Sequence, residues 1–454
     1  MRSRASGLRV RHCLVSLVIL SLLLAAPAVH ASANVESRIT SVIAWIRERE
    51  VESQFIRGFA GAPSAPLNLT LYLKDQGLVA LALSDFHSTH NDARYDQLLI
   101  DAAEFIMKAR TPTGRFYEYY DLETQKWRNV GGLYPWEAYA LAGLALSAYK
   151  ISYKDAGQRA YWTSIESKLK TSIINLLSNQ RGDGAWIFRE KGTGDREAST
   201  AENSMMLAAL SYIGLFEREW GSPQQALYYG KLSAKTAGWL MSMQVSNSSL
   251  PGFGGFPHSD LNATQFTEEN GIVLFGVDSY YSLIDVLYPG AAPTIWDARR
   301  VMIDWVAGFV REMRDSYGGP YFARNASRLV KYPMTTIAAC WMLQALADIW
   351  VNLGGDAYYA DARKPYEWIV GGNALRADMQ EPVRGSGSAG FYAAIIPGDV
   401  DRGTRTEVAA SAAYALIRAA FVQIPELPPG AEALVLMLGL SAAVLVLRRK
   451  RPFA

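Results

Sequence analysis

The feature that most constrains the fold is a repeated alternation of two kinds of apolar segment along residues 33–424. Segments of one kind, such as IWDARRVMIDWVAGFVREM (295–313), carry charge along one face and Ile, Trp, Val and Phe along the other. Segments of the second kind, such as WEAYALAGLALSAYKI (136–151), are apolar nearly all round. A helix that is apolar on every side is enclosed by other helices, whereas a striped helix faces water. The periodicity predicts twelve helices and almost no strands, with the helices near residues 35–53, 70–85, 92–110, 135–151, 156–179, 199–216, 222–245, 268–287, 293–315, 334–353, 357–370 and 405–423.

The links between these segments alternate as well. Links from an enclosed helix to the next striped helix are short, whereas links from a striped helix to the next enclosed helix are long. Each long link contains a Gly followed closely by an aromatic residue, and these marks recur at intervals of roughly 55–70 residues, longer than the repeats of most open solenoids. The six marks are Gly58-Phe59, Gly114 with Phe116, Gly184 with Trp186, Gly255-Phe256, Gly319 with Tyr321, and Gly390-Phe391.

Six helical hairpins whose inner helices are sheltered by outer ones predict an all-α fold, the closed (α/α)6 toroid. An open superhelix of helix pairs is the alternative, but the first and last pairs lack the polar outer face that caps such an array. In a closed ring, the six long loops lie on one face, at the N-termini of the inner helices. We expect a ligand to bind there, where backbone N–H groups are unpaired and loop side chains converge.

Acidic residues recur at the predicted starts of the inner helices. They are Glu137, Glu202, the pair Glu268 and Glu269, and Glu407. Ser199-x-x-Glu202 and Thr404-x-x-Glu407 also match the capping box, in which Glu binds the amide of the residue before the helix. An acidic first turn also complements the helix dipole. Purely structural roles for these residues therefore remain open.

Asp75 is a different case, because it lies within the otherwise apolar segment LYLKDQGLVALAL (71–83). It is four residues from Leu71 and from Val79, so a helix places all three on one face. A carboxylate in that position must be hydrogen-bonded, paired with a charge, or kept protonated by a raised pKa. A buried partner such as Lys74, without a catalytic role, is the alternative. The candidate catalytic residues are Asp75, Glu202, Glu269 and Glu407.

Aromatic residues are concentrated in the same long loops. Sugar rings present C–H faces that stack on aromatic planes, while carboxylates and amides bind their hydroxyl groups, so a rim of Trp, Tyr and Glu suits an oligosaccharide. Aromatic residues also close the end of any helical barrel, and Asp183 before Gly184 is an ordinary turn sequence. The candidate substrate-binding residues are Trp136, Glu137, Asp183, Trp186, Tyr321 and Arg324.

In this architecture the chain resembles the six-hairpin glycosidases. The run Asp75-Gln76-Gly77-Leu78 resembles a Tyr-Asp-Gln-Ala-Leu stretch in several of these families, and Glu202-Asn203 resembles their acidic-Asn pair at an inner-helix start. The closing segments WIVGGNALRADM (368–379) and TEVAASAAYAL (406–416) are similar to those of an inverting cellulase family. That resemblance implies that Glu407 is a general acid, although Thr406 stands where the family has Asn and the family's Asp-Ala-Gly-Asp base motif is missing.

The segment NQRGDGAW (179–186) resembles the Gln-to-Trp motif of terpenoid-cyclase toroids, which ties a helix end to the following loop. The acidic Asp-x-Asp-Asp initiator of those cyclases is missing, so the resemblance supports the toroid and not isoprenoid chemistry.

These features favour a carbohydrate-active enzyme, most simply a glycoside hydrolase that uses two carboxyl groups. One carboxyl, kept protonated, would donate to the glycosidic oxygen, and the other would activate water. A non-catalytic glycan-binding or envelope-organising surface protein is the alternative, and a polysaccharide lyase or epimerase on the same toroid is a further one. The five histidines and two cysteines are too few to indicate a metal site or a disulfide framework, and we expect no cofactor.

Both ends of the chain read as sorting signals. Residues 1–31 combine an arginine-rich start, an apolar run and a small-x-small site, which predicts a secretory signal peptide, with a permanent membrane anchor as the alternative. The tail, 425–454, has a Pro-Glu motif, a short apolar helix at 433–447 and a basic end, and resembles the PEF-type sorting tags. That resemblance implies processing by a membrane sortase or anchoring by a short transmembrane helix. The expected domains are 1–31, the toroid 32–424 and the tail, with the body at the cell surface.

The charge balance of the body excludes one class of partner. The chain has 45 Lys and Arg against 43 Asp and Glu, but eight of the basic residues belong to the two terminal clusters. Without those clusters and the two tail glutamates, 37 basic residues face 41 acidic ones. Nucleic-acid binding requires clustered Lys and Arg to neutralise phosphates, so the body is not expected to bind nucleic acid.

Overall fold

The computed structural model describes residues 35–421, except for 54–55, 63–68, 91–94, 130–133, 191–195, 290–291, 326–327, 372, 374, 382–387 and 398. Almost all of these residues belong to one compact unit, Ile39–Val422. The predicted signal peptide and the predicted tail helix lie outside the described residues and stay predictions.

The described part of the chain contains twelve helices, as the sequence predicts. The first is shorter than expected, because Glu50–Glu52 leaves the predicted helix and forms a strand. The ninth continues beyond Trp305 as a π-helical turn, Val306–Val310. The helices are α1 (35–47), α2 (Leu73–His90), α3 (Asp96–Lys108), α4 (Trp136–Lys154), α5 (Arg159–Leu176), α6 (Thr200–Trp220), α7 (Pro223–Met243), α8 (Thr267–Leu287), α9 (Ala292–Trp305), α10 (Thr336–Leu353), α11 (Asp356–Ile369) and α12 (Thr406–Phe421).

The six even-numbered helices form a closed inner ring. Each packs against the next even helix along the chain, and α12 packs against α2 to complete the circle. The outer helices α3, α5, α7, α9 and α11 each pack on the inner helix that precedes them. Contact between the last and the first inner helix excludes the open superhelix.

Close approach of the inner helices depends on small residues at their crossings. Gly77 on α2 faces Gly143 on α4, and a Cβ atom at Gly77 would lie 2.6 Å from the carbonyl oxygen of Tyr139. A Cβ at Gly143 would in turn overlap the carbonyl oxygen of Gly77. These two glycines therefore bring the backbones of α2 and α4 into direct contact.

The expectation of an all-α chain needs a correction, because the long loops contain short antiparallel strands. Eleven of the thirteen strands in the described residues have two or three residues, too few to leave a period-2 pattern in the sequence. They pair as β1-β2, β3-β4-β5, β6-β7, β8-β9-β10 and β11-β12-β13, so three of the sheets join neighbouring loops. The strands are β1 (Glu50–Glu52), β2 (Arg57–Phe59), β3 (Thr70–Tyr72), β4 (Tyr119–Asp121), β5 (Lys126–Arg128), β6 (Arg189–Glu190), β7 (Arg196–Glu197), β8 (Gln265–Phe266), β9 (Ala323–Asn325), β10 (Arg328–Val330), β11 (Met334–Thr335), β12 (Tyr392–Ile396) and β13 (Asp399–Thr404).

One helix in the described part of the chain, α10, is long and apolar enough to cross a membrane by length and composition. It is an inner helix of the ring, and 78% of its apolar window is buried in the protein. The apolar composition of α10 is therefore explained by its buried position in the inner ring.

Candidate active site

A cavity of about 830 Å³ opens where the inner helices begin and the long loops meet. Its wall includes carboxyl groups, basic groups and aromatic rings from five of the six inner-helix starts and from the loops around them. The carboxyl groups belong to Asp75, Glu118, Glu202, Glu268, Glu269 and Glu407, the basic groups to Lys74, His258 and Arg405, and the rings to Tyr72, Trp136, Tyr139, Phe266 and Phe322.

A repeated side-chain clamp ties the start of an inner helix to the aromatic residue of the preceding loop. On α6, Asn203 accepts a hydrogen bond from the backbone N–H of Trp186 (2.6 Å) and donates to its carbonyl (2.9 Å). Asn270 on α8 clamps Phe256 in the same way, at 2.7 and 2.9 Å. The clamp of α2 is Gln76 on Phe59, and that of α4 is Glu137, which accepts from the N–H of Phe116.

A second repeated contact joins the first residue of α6, α8, α10 and α12 to a neighbouring loop. The hydroxyl of Thr200, the first residue of α6, donates to the carbonyl of Pro257 (2.7 Å). At the first position of α10, Thr336 donates to Tyr392 (2.6 Å), and at the first position of α12, Thr406 donates to Ala60 and so joins the last repeat to the first. Because Thr406 forms this contact, its hydroxyl has a structural role at the place where the resembling cellulases have Asn.

These two contacts explain which residues face the cavity. Because the clamp side chain points toward its own loop, the residue before it points toward the ring axis. On α2, α4, α6 and α8 these residues are Asp75, Trp136, Glu202 and Glu269, respectively. On α2 and α8, the residue one position earlier also lines the cavity, and these residues are Lys74 and Glu268. Glu268 directly follows the first residue of α8, a threonine, and Glu407 occupies the same position on α12 and lines the cavity as well. The four predicted catalytic residues thus meet in one cavity.

Neither predicted capping box is formed as expected. The hydroxyl of Ser199 makes no capping bond to α6. Thr404 belongs to β13, where it pairs with Tyr392. The carboxylate of Glu407 instead accepts a hydrogen bond from the Lys74 ammonium at 3.2 Å.

Lys74 and Glu407 form an ion pair between α2 and α12. Burial opposes the charge of Lys74, but the carboxylate of Glu407 raises the pKa of Lys74 well above its usual range. The same ammonium lowers the pKa of Glu407 and outweighs the effect of its burial. The Lys74 ammonium also lies 5.1 Å from the ring centre of Tyr139. Glu407 is therefore held as a carboxylate at neutral pH.

The pKa of Asp75 is shifted in the opposite direction to that of Glu407. Its residue is only 6% exposed, and its carboxyl makes no hydrogen bond or ion pair with any described residue. Burial, and then the negative charge of Glu407, raise the pKa of Asp75 well above its usual range, despite Lys74 nearby. Two neighbouring carboxyl groups thus differ in protonation, one holding a proton and the other holding a charge, as acid and base pairs do in enzymes.

A second pair in the cavity wall consists of His258, in the loop before α8, and Glu269 on α8. The Nδ1 atom of His258 lies 2.8 Å from both carboxylate oxygens of Glu269, and its ring packs edge-on against Phe266. The adjacent Glu268 has its pKa raised to about 7 by burial and by the charges of Glu407 and Glu269, partly offset by Lys74. Glu268 therefore titrates near neutral pH.

Two predicted substrate-binding residues, Glu137 and Trp186, belong to the clamps and do not line the cavity. The carboxylate of Glu137 accepts from Arg115 Nε (2.9 Å) in addition to the N–H of Phe116. Trp186 is fully buried, and its indole N–H donates to Thr236 (2.9 Å). Of the predicted substrate-binding residues, Trp136 is the one in the cavity wall.

The other three predicted substrate-binding residues also lie outside the cavity wall. Asp183 is paired with Arg181 and accepts from the N–H of Ala185 (3.1 Å) in a turn. Arg324 is buried and pairs with Glu312. Tyr321 packs beneath the Lys331 ammonium, 5.6 Å from its ring centre.

The candidate set from the sequence lacked several cavity residues. The sequence indicates Lys74 only as a possible partner of Asp75, and Glu268 only as one of the acids at the starts of the inner helices. Both would have been found by taking the two positions before each clamp residue. His258, Arg405 and Tyr139 carry no such signal, because a loop, a strand end and a helix face bring them to the cavity.

No family model matches the chain, and no curated protein sequence matches it. Solved structures do match it over most of its length. Cellobiose 2-epimerase from Bacillus thermoamylovorans superposes with a TM-score of 0.65 at 9% identity, covering 87% of this chain and 99% of that one. A D-mannose isomerase reaches 0.60 at 13% identity, covering 85% and 97% of the two chains. An unsaturated glucuronyl hydrolase specific for heparin reaches 0.54 at 14%, covering 87% and 98%. At these identities the similarity shows the toroid fold alone.

Proposed function

We propose that this protein is a carbohydrate-active enzyme, and specifically a glycoside hydrolase. The observation that carries the proposal is the pair of carboxyl groups Asp75 and Glu407, whose pKa values are shifted in opposite directions and which both line an open cavity. The solved structures with the same fold are named for the processing of cellobiose, mannose and heparin-derived glucuronyl groups, which supports a saccharide as substrate.

In the proposed reaction, Asp75 is the general acid and Glu407 the general base. The proton of Asp75 passes to the glycosidic oxygen as the bond from that oxygen to the anomeric carbon breaks. A water molecule forms the new bond to the anomeric carbon and gives its proton to Glu407. Exchange with solvent then returns one proton to Asp75 and removes one from Glu407. Lys74 stabilises the charged form of the base before each cycle.

The aromatic residues of the cavity provide the binding surface for the sugar. Trp136, Tyr72 and Phe322 line the same cavity as the carboxyl groups. Sugar rings bury their C–H faces against such planes, and apolar burial contributes about 25 cal/mol per Å². Glu202 and Glu269 are the proposed acceptors for sugar hydroxyl groups.

One observation favours a second candidate, a sugar epimerase or isomerase. The pair formed by His258 and Glu269 lines the cavity, and a histidine whose ring is oriented by a carboxylate is a suitable base for a proton next to a carbonyl group. In that reaction the C–H bond breaks, the proton moves to His258, and an acid on the other side returns a proton to the same carbon or its neighbour.

We also propose that the enzyme acts outside the cytoplasm, at the cell surface. This location follows from the sequence of residues 1–31 and of the tail 425–454, which support export and attachment through a short apolar helix or a sortase.

Product analysis separates these candidates. The purified protein would be incubated with a panel of oligosaccharides in D₂O and followed by proton NMR. Hydrolysis produces a new reducing end, and the anomer formed first reports inversion or retention, whereas epimerisation incorporates deuterium at carbon while the glycosidic bond stays intact. We expect hydrolysis to fall at least 100-fold in Asp75→Asn and in Glu407→Gln. Full activity in both variants, or binding without any conversion, would contradict the hydrolase.

A further inference from the structure

The charges around the cavity restrict the substrate class, and this inference rests on the proposed function of the same site. Among the lining residues, six carboxyl groups face three basic groups, and acidic groups remain in excess with Asp75 protonated. Two of the basic groups are already next to carboxylates, Lys74 beside Glu407 and His258 beside Glu269. A uronic acid or a sulfated sugar would place another negative charge in this surplus and would be repelled.

Two of the carboxyl groups make no hydrogen bond or ion pair with any residue that the structure describes. One is Asp75, which is more than nine-tenths buried, and the other is Glu268. Both line the cavity. Buried polar groups in proteins are nearly always hydrogen-bonded, so the buried carboxyl of Asp75 requires a donor from outside the described residues, while the partly exposed carboxyl of Glu268 is open to one.

Glu268 is the better placed of the two to bind a positive group. It lies in the first turn of α8, next to Glu269, and the charge of Glu407 on α12 also acts on it. Lys74 on α2 is the cation that acts on Glu268. The charge of Glu268 in turn adds to the negative potential at Tyr139 on α4. The charge of Lys74 is the strongest that acts on Glu268, and the charges of Glu407 and Glu269 oppose it. Because acids outnumber basic groups in the cavity wall as a whole, the wall disfavours a second carboxylate and favours a cation.

We propose that the sugar bound in this cavity carries a free amine, and that the carboxylate of Glu268 binds its ammonium group. A charge-assisted bond between ammonium and carboxylate is roughly twice as strong as a neutral hydrogen bond. The aromatic rings of the wall also attract cations through their faces. An N-acetyl group on the same nitrogen removes the charge and with it both interactions.

The proposal predicts a proton release that only an amine would cause. Free Glu268 has its pKa raised to about 7, so at pH 6 it is mostly protonated. An ammonium group bound beside it favours the charged form, so the proton leaves, and net proton release on binding is expected. The amine itself is already protonated at pH 6 and takes up none of it.

The test is isothermal titration calorimetry at pH 6 in two buffers of different ionisation enthalpy. The probes are glucosamine, galactosamine and mannosamine, each compared with its neutral hexose and its N-acetyl form. We expect at least one amine to bind tenfold more tightly than its hexose and its N-acetyl form, with proton release for the amine alone. In Glu268→Gln we expect tenfold weaker amine binding, no release, and hexose binding within about threefold of wild type.

Glu104→Gln is the matched control, because Glu104 is half exposed on the outer helix α3 and lies outside the cavity wall. It should leave affinity and proton release unchanged. No amine preference in the wild type, or a release that survives Glu268→Gln, overturns the proposal. Because binding is measured without turnover, loss of hydrolysis in Asp75→Asn with amine binding intact separates this proposal from the proposed reaction.

Discussion

The clamp formed by Asn203 makes a quantitative prediction about stability. Asn203 is fully buried and makes three hydrogen bonds, two with the backbone of Trp186 and one, at 2.8 Å, with the carbonyl of Ser199. In Asn203→Leu, a side chain of similar size replaces the amide and removes all three bonds. Each bond contributes about 1 kcal/mol net, and the buried N–H of Trp186 left without a partner costs about 1–3 kcal/mol more. The expected loss is therefore about 4–6 kcal/mol of the free energy of unfolding.

Urea unfolding followed by circular dichroism and tryptophan fluorescence measures this loss. Asn247→Ala is the control, because Asn247 is exposed and its side chain bonds only to Ser249 within a local turn. We expect the control to remain within about 0.5 kcal/mol of wild type. A loss below about 1 kcal/mol in Asn203→Leu, at an unchanged denaturant slope, would show that the clamp does not hold the loop and would refute the reasoning.

Three further predictions concern the same ring. In Lys74→Met, Glu407 loses its cation, so the acid limb of the kcat/KM profile should move up by about 1–2 pH units; an unmoved limb would mean that Glu407 is not the base. Asp75 has a raised pKa in the folded protein, so it is neutral when folded and charged when unfolded, and its cost to stability grows as pH rises above its unfolded pKa of 3.8. Asp75→Asn should therefore gain at least about 1.4 kcal/mol relative to wild type at pH 8 and nothing at pH 3, measured by thermal unfolding at both pH values. Gly143→Ala places a Cβ against the carbonyl of Gly77 and should cost about 1–3 kcal/mol, whereas Gly238→Ala, with open space around it, should not destabilise the protein.

Much of the architecture could be predicted because it depends on local periodicity. The apolar surface of α6 and the charged stripe of α9 are properties of adjacent residues, and they indicate which helix is enclosed. The short strands could not be predicted in this way. Thr70–Tyr72 pairs with Tyr119–Asp121, a segment about fifty residues away, and three residues are too few to show an alternating pattern.

The candidate site could be predicted in part, for a similar reason. Asp75, Glu202 and Glu269 each precede a clamp residue, so the helical register alone turns them toward the ring axis. Trp186 and Glu137 were expected to bind substrate because their residue types suit sugars. Their place in the clamps depends on partners in other segments, Thr236 and Arg115, and residue type does not reveal these partners.

The sequence by itself determined the number of helices, their alternation and the face on which acidic residues collect, because all three follow from the turn angle of a helix and the spacing of apolar residues. Tertiary structure alone decided which acid keeps its proton. Asp75 and Glu407 are separated by more than three hundred residues, and their pKa values diverge because closure of the ring brings α12, with its carboxylate, beside Lys74 and the buried end of α2. Burial and charge act through space, so these protonation states arise only when the first and last helices meet.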